Sequence, residues 1–237
     1  MENKEHLVDI IIPVYNGAKF ITAAVDSIQK QSWRSWRLII VDDGSTDNTV
    51  AIVRELMKVD DRITLHQQTH QGISATVNTA LQYAHAHFIA FLDADDLWHE
   101  HKLEKQMDYL QKYPSAHICF TMMQEFDDII VEEGLAKFKA RSLPMKGYSK
   151  SAFLSQRNVF EKYGNFSADI ALGDFIEWFS RVTRDDQSNT IILDEVLTYR
   201  RIHDTNTTRG MDKKAYLNIL KSHLDEKRKI ESGRKLE

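Results

Sequence analysis

The chain has 237 residues, 42% hydrophobic and 28% charged, which gives room for one large or two small domains and excludes wholesale disorder. A net charge of -4 gives no electrostatic footprint for nucleic acid, and no apolar run approaches the roughly 18 residues of a spanning helix. One cysteine, Cys119, excludes an internal disulfide, and the polar start MENKEHLVD lacks the apolar core of a signal peptide, so a cytoplasmic protein is expected.

Strand-like and helix-like segments alternate from the start. Leu7 to Val14 is nearly continuous in apolar residues, as in a strand covered on both faces. Phe20, Ile21, Ala24, Val25 and Ile28 then repeat at helical spacing, and Arg37 to Val41 reads as a second strand that ends in Asp42-Asp43-Gly44-Ser45. Thr46 to Val59 is a helix, with Val50, Val53, Leu56 and Met57 on one face and Ser45, Thr46 or Asp47 available as its cap. Arg62 to His66 is a third strand, and Ile73, Val77, Ala80, Leu81 and Ala84 mark a third helix. Phe88 to Leu92 is a fourth strand. Leu103, Met107 and Leu110 mark a fourth helix, ended by Pro114, and Ala116 to Thr121 is a fifth strand.

Beyond Thr121 the alternation breaks. Residues 124–147 are charged and poorly periodic, which leaves open a mobile loop over a site or a solvated connection. A helix from about Gly173 to Arg184 follows, then strand-like Ile191 to Tyr199, and a tail from Met211 with Tyr216, Leu220 and Leu224 at helical spacing.

Strands separated by helices need crossover connections, so an α/β fold is expected: a Rossmann-like, mainly parallel sheet with helices on both faces. Ligands of such sheets bind outside the carboxyl ends of the strands. Asp42 and Asp43 follow the second strand, and Asp93 and Asp95 follow the fourth, so two acidic clusters converge on one edge.

Asp93, Asp95 and Asp96 are costly to gather unless something cationic holds them. On an extended strand Asp93 and Asp95 share a face, with small Ala94 between them, and paired carboxylates suit a hard cation, Mg²⁺ or Mn²⁺. The plainer reading has Asp95 or Asp96 cap a helix near Trp98. Capping explains one aspartate of the three.

Three ordered stretches resemble the signatures of family 2 glycosyltransferases: Ile11-Ile12-Pro13-Val14-Tyr15-Asn16, Val41-Asp42-Asp43-Gly44-Ser45-Thr46-Asp47, and the DXD motif Asp93-Ala94-Asp95 with Asp96. Leu172-Gly173-Asp174, with Glu177-Trp178 and Arg181, is similar to the family's late acidic motif, and the likeness covers residues 7 to about 209.

The resemblance implies a GT-A fold and an inverting transferase that uses a nucleotide-diphosphate sugar. Residues 1–210 would form one domain, with 1–121 the nucleotide-sugar half and 122–210 the acceptor-side half, followed by a helical tail at 211–237. Pro13 and Tyr15 would line the nucleotide pocket, and Asp43 (or Asp42) would accept from the base, which suits a uracil N–H and so a UDP-sugar. Asn78, Asp93 and Ala94 would lie on the donor, and Asp95 would hold the metal, with His203 of Tyr199-Arg200-Arg201-Ile202-His203 approaching the metal or diphosphate. Asp174 would deprotonate the acceptor, a glycan, lipid-linked or peptide hydroxyl.

The sequence departs from the family twice. Val77-Asn78 stands where many members have Arg-Asn, which leaves His203 or Arg201 to supply the charge, and Gly173-Asp174 stands where Glu-Asp is commoner. A helix-capping acid is the plainer role for Asp174. Trp98 and Trp178 are expected in the core, as is Cys119. The alternatives are a non-catalytic nucleotide-sugar-binding scaffold and a Mg-binding receiver-like signalling domain. The sugar, the acceptor, the oligomeric state and peripheral membrane association are left open.

Overall fold

The computed structural model describes residues 6–132, 135–170, 173–184, 189–204 and 206. Leu172 and the tail at 211–237, with Tyr216, Leu220 and Leu224, lie outside the described residues.

The first half alternates as its patterning predicts: β1 (Val8–Val14), α1 (Ile21–Gln29), β2 (Trp36–Asp42), α2 (Thr49–Val59), β3 (Ile63–Gln67), α3 (Ile73–Tyr83) and β4 (Phe88–Phe91). Then come β5 (Leu97–Trp98), α4 (Lys102–Lys112), β6 (Ala116–Glu132), β7 (Leu135–Ala140), β8 (Met145–Lys146), a 3₁₀ turn (Lys150–Ala152), β9 (Phe153–Gln156), α5 (Asn158–Tyr163), α6 (Asp174–Thr183) and β10 (Asn189–Arg201).

The described strands form one sheet in the order β3-β2-β1-β4-β9-β6-β10-β5, with β7 and β8 both paired to β6. β3, β2, β1 and β4 are mutually parallel, β9 is antiparallel to both β4 and β6, and β10 runs parallel to β6. Through four strands the order is the Rossmann one, 3-2-1-4, and not the 2-1-3-4-5 of receiver domains, so the receiver-like alternative falls.

Every residue of β1 is buried because the two sides of the sheet are both covered. Ile10, Ile12, Leu38, Ile40 and Ala90 pack with Ala24, Val25, Ile28, Val53, Leu103 and Met107 on one side. Ile11, Ile39, Val41, Ile89 and Phe91 pack with Val77, Ala80, Phe160, Phe175 and Trp178 on the other. Alternation along the strand thus feeds two cores at once. Trp98 and Trp178 are core residues, and burial pushes the Cys119 thiol up to about 12.

The segment 124–147 is largely paired strand. β6 continues the core strand outward, β7 folds back on it antiparallel, and β8 pairs Met145 with Met123. The last pairing, Leu97–Trp98 of β5 against Thr198–Tyr199 of β10, carries the end of β10 to the residues just before β5. That pairing positions the site.

Candidate active site

At the carboxyl end of β1 the chain leaves the sheet at Tyr15 and Asn16, and Asn16 takes a left-handed φ of 51°. Asparagine tolerates that region, and here its Oδ1 accepts from Thr46 N (2.8 Å) and Asp47 N (3.3 Å). Asn16 N donates to Ser45 Oγ (2.8 Å) and Gly17 N to Thr49 Oγ1 (2.9 Å), so the loops after β1 and β2 are laced together. A Cβ at Gly17 would meet Val14 Cγ2 at 2.5 Å, with Ala94 Cβ at 3.6 Å. Glycine here spares the loop a clash with the Val14 side chain of β1, and Ala94 of the acidic turn lies at ordinary contact distance. Tyr15 is 48% exposed and stacks on His70 with ring centres 4.2 Å apart, while Pro13 is buried inside β1 opposite Val41.

The two aspartates after β2 differ. Asp43 accepts from Gln68 Nε2 (2.8 Å), Gln71 N (2.9 Å), Gly72 N (2.8 Å) and His70 Nδ1 (2.8 Å), and so fastens the loop ahead of α3. Asp42 is fully buried, its Oδ2 accepts from Ser45 N (3.1 Å), and its Oδ1 has no hydrogen-bond partner among the described residues. A buried oxygen left unpaired is costly, by about 1–3 kcal/mol, unless a donor arrives. Of the two, Asp42 is the one with an open acceptor. Asn78 spends its amide on the backbone of Phe166, donating to its carbonyl (2.8 Å) and accepting from its N–H (3.1 Å).

The acidic cluster after β4 is a turn, not a strand end. β4 stops at Phe91, Asp96 N donates to Asp93 O (3.0 Å), and α4 begins only at Lys102. Asp93 and Asp95 are therefore brought together by the turn rather than by one strand face, and neither Asp95 nor Asp96 caps a helix near Trp98. Asp96 is buried and accepts from Arg201 N (3.0 Å), and Arg201 Nε donates to Asp95 O (3.1 Å). Burial, then Asp95 and Asp93, push the Asp96 carboxyl well above the usual carboxylate range. Burial and the neighbouring Asp95 also raise Asp93, against the opposing pull of Lys150 and Arg200.

Asp95 Oδ2 meets His203 Nε2 at 2.9 Å and Asn206 Nδ2 at 3.2 Å, and the His203 ring lies 4.5 Å from that of Phe20. One carboxylate and one imidazole make a donor set that fits a divalent cation which takes its remaining positions from phosphate oxygens and water. Among the described residues there is no group of three or more His, Cys, Asp or Glu that could hold a metal ion.

Asp174 opens α6, behind Gly173 in the left-handed region at φ 91°. Its carboxylate is buried and takes three donors: Ser74 Oγ (3.0 Å) and Lys150 Nζ (2.7 Å) on Oδ2, and Phe175 N (2.8 Å) on Oδ1. It bonds its own helix start, as a capping acid would, yet the two contacts from other elements exceed what capping needs. Breaking such a buried pair by removing one partner typically costs about 3–5 kcal/mol. Lys150 and Ser74 carry no sequence signal: they lie 24 and 100 positions from Asp174, in stretches with no motif.

The family described as Glycosyl transferase family 2 matches residues 9–185. The chain is 40% identical over 117 residues to "Putative teichuronic acid biosynthesis glycosyltransferase TuaG" of Bacillus subtilis, covering 49% of this chain and 46% of that protein. It is 43% identical over 109 residues to "UDP-Glc:alpha-D-GlcNAc-diphosphoundecaprenol beta-1,3-glucosyltransferase WfgD" of Escherichia coli, covering 46% and 42%. The match thus spans less than half the length of either relative. The fold is similar to S. aureus TarS 1-349 in complex with UDP-GlcNAc, with a TM-score of 0.70 at 18% identity over 86% of this chain and 61% of that one. It is also similar to the mannosyltransferase PcManGT from Pyrobaculum calidifontis in complex with GDP-Man and Mn2+, with a TM-score of 0.66 at 20% identity over 84% and 58%.

Proposed function

The chain belongs to glycosyl transferase family 2, and on that footing we propose that it moves a sugar from a UDP-sugar to an acceptor hydroxyl with inversion at the anomeric carbon. The observation that carries this reading is the buried Asp174 carboxylate, oriented by Ser74 and Lys150 and within electrostatic reach of Asp93.

The residues divide the work as follows. Tyr15 offers an exposed ring to the base, and Asp42, whose Oδ1 is unpaired but enclosed, would accept from a uracil N–H once the loops after β1 and β2 admit the base. Asp43 and Asn78 hold the loop and α3 in place through their backbone contacts. Asp95 and His203 would hold a divalent cation, and Asp93 and Ala94 flank the sugar and diphosphate. Such a cation supplies Lewis-acid neutralisation of the leaving diphosphate. The acceptor hydroxyl donates to Asp174, attacks the anomeric carbon opposite the leaving group, and leaves its proton on the Asp174 carboxylate. One displacement with one base inverts the anomeric centre.

A UDP donor is supported by the names of two comparison proteins, one a UDP-Glc enzyme and one a UDP-GlcNAc complex. The first of these also acts on a diphosphoundecaprenol-linked sugar, which supports a lipid-linked glycan as acceptor. No helix among the described residues is long and apolar enough to cross a membrane. A lipid-linked acceptor would bring the enzyme to a membrane surface.

The test is Asp174→Asn, which keeps shape and helix-capping ability but takes no proton at neutral pH. UDP-sugar affinity is expected to persist while transfer falls by about 10²-fold or more. Near-normal transfer by this variant would leave Asp174 as a structural acid.

A further inference from the structure

Lys150 stands where the two acidic halves of the site meet. Its 3₁₀ turn is fixed from three directions: Asp93 N donates to Ser151 Oγ (3.1 Å), Trp98 Nε1 to Ser151 O (2.7 Å) and Gln106 Nε2 to Ala152 O (3.1 Å). From that anchored backbone the ammonium reaches Asp174 Oδ2 at 2.7 Å, with the Phe166 ring centre 5.2 Å from the same nitrogen. The lysine and aspartate side chains are only 10% and 7% exposed, so the pair is shielded from bulk water.

We propose that Lys150 is a positioning residue for the transfer step, its ammonium orienting the Asp174 carboxylate. The proposal rests on the reading of Asp174 as the general base. Lys150 and Ser74 both bind Oδ2, which turns Oδ1 toward the helix start, where it accepts a single bond from Phe175 N. A carboxylate oxygen has two acceptor directions, so Oδ1 keeps one for an incoming hydroxyl. Without the ammonium, only Ser74 Oγ and Phe175 N hold the carboxylate, and its charge loses its ion-pair partner. A base misplaced by a fraction of an ångström loses rate while the donor still binds.

The experiment measures UDP release from UDP-glucose and from UDP-GlcNAc, with water as acceptor, for the full chain and for Lys150→Met, Lys150→Arg, Asp174→Asn and the Lys150→Met/Asp174→Asn double variant. Melting temperatures are read for each protein. Lys150→Met is expected to lower kcat at least about tenfold with donor KM changed less than about twofold, and Lys150→Arg to recover most of the loss. In the Asp174→Asn background, Lys150→Met is expected to cost less than about twofold, because the residue it acts through is already disabled. Should the methionine variant fail to fold, Lys150→Gln takes its place with the same expected split. An active wild type whose Lys150 variant keeps kcat, loses only donor KM, or loses kcat equally in both backgrounds overturns the inference alone. A wild type that releases UDP from neither donor overturns the UDP-sugar reading and this inference with it.

Discussion

His203 Nε2 lies 2.9 Å from Asp95 Oδ2, although 108 positions separate the two residues. The short β5–β10 ladder makes this contact: Trp98 pairs with Thr198, and the chain beyond Arg201 turns back over the acidic turn. If this pair holds a cation that bridges to a diphosphate, UDP binding followed by calorimetry depends on Mn²⁺ or Mg²⁺. EDTA and Asp95→Asn are each expected to weaken UDP at least about tenfold, with a smaller loss for His203→Ala. Unchanged UDP affinity in EDTA removes the metal from the reading.

Asp9 is a fully buried carboxylate at the other end of β1, away from the site. It binds Arg37 through two hydrogen bonds of 2.9 Å and accepts from His85 N (2.6 Å) and Ala86 N (2.7 Å). Asp9→Ala strands two backbone donors, so a loss of about 2–6 kcal/mol in urea unfolding is expected. Arg37→Ala is expected to cost less, because the Arg37 side chain is 44% exposed. Equal losses for the two would contradict the dominance of the stranded amides.

Lys102 supplies a pH test of stability. It is fully buried beneath Trp98, with Nζ 4.0 Å from that ring and 2.8 Å from Gln106 Oε1, and burial lowers it from 10.5 to about 7. Between about pH 7 and 10.5 the unfolded chain holds this proton and the folded one does not. Stability therefore rises with pH across that window, by up to about 1.4 kcal/mol per unit, and is flat with respect to this group below it. Urea unfolding of the wild type against Lys102→Met at pH 6, 8 and 9.5 isolates the effect. The methionine variant is expected to be favoured most at pH 6, and its advantage to shrink as pH rises. A constant difference would place the ammonium in contact with water.

The hairpin makes a prediction about amide exchange. Met122 and Met123 of β6 pair with β8 on one side and β10 on the other, so their amides lie inside the sheet. Exchange at these two residues without ligand is expected to be as slow as in β1, and slower than in the 142–144 connection. Fast exchange at Met122 and Met123 would contradict their place inside the sheet.

Local chemistry made the parallel half legible. The unbroken apolar run of β1 and the helical spacing of Ile21, Ala24, Val25 and Ile28 each report burial by neighbours close in sequence, and the structure buries them. The first six residues of β6 were legible as a strand, but its extension to Glu132 and the β7 and β8 pairings were not, because backbone hydrogen bonds make them and the charged, aperiodic sequence of 124–147 does not encode them. The acidic turn was half legible. Three aspartates after a strand marked a site, but the i, i+2 rule assumes an extended chain, and β4 ends two residues before Asp93.

By itself, then, the sequence determined which kinds of groups gather at the carboxyl ends of the strands, because strand direction and residue order follow from periodicity along the chain. Tertiary structure alone decided their partners. It gave Asp43 to a loop and left Asp42 with an open oxygen, set Lys150 and Ser74 on Asp174, and laid His203 on Asp95. Hydrogen bonds and ion pairs form across about 3 Å of space whatever the separation in sequence, and only the folded sheet sets those distances.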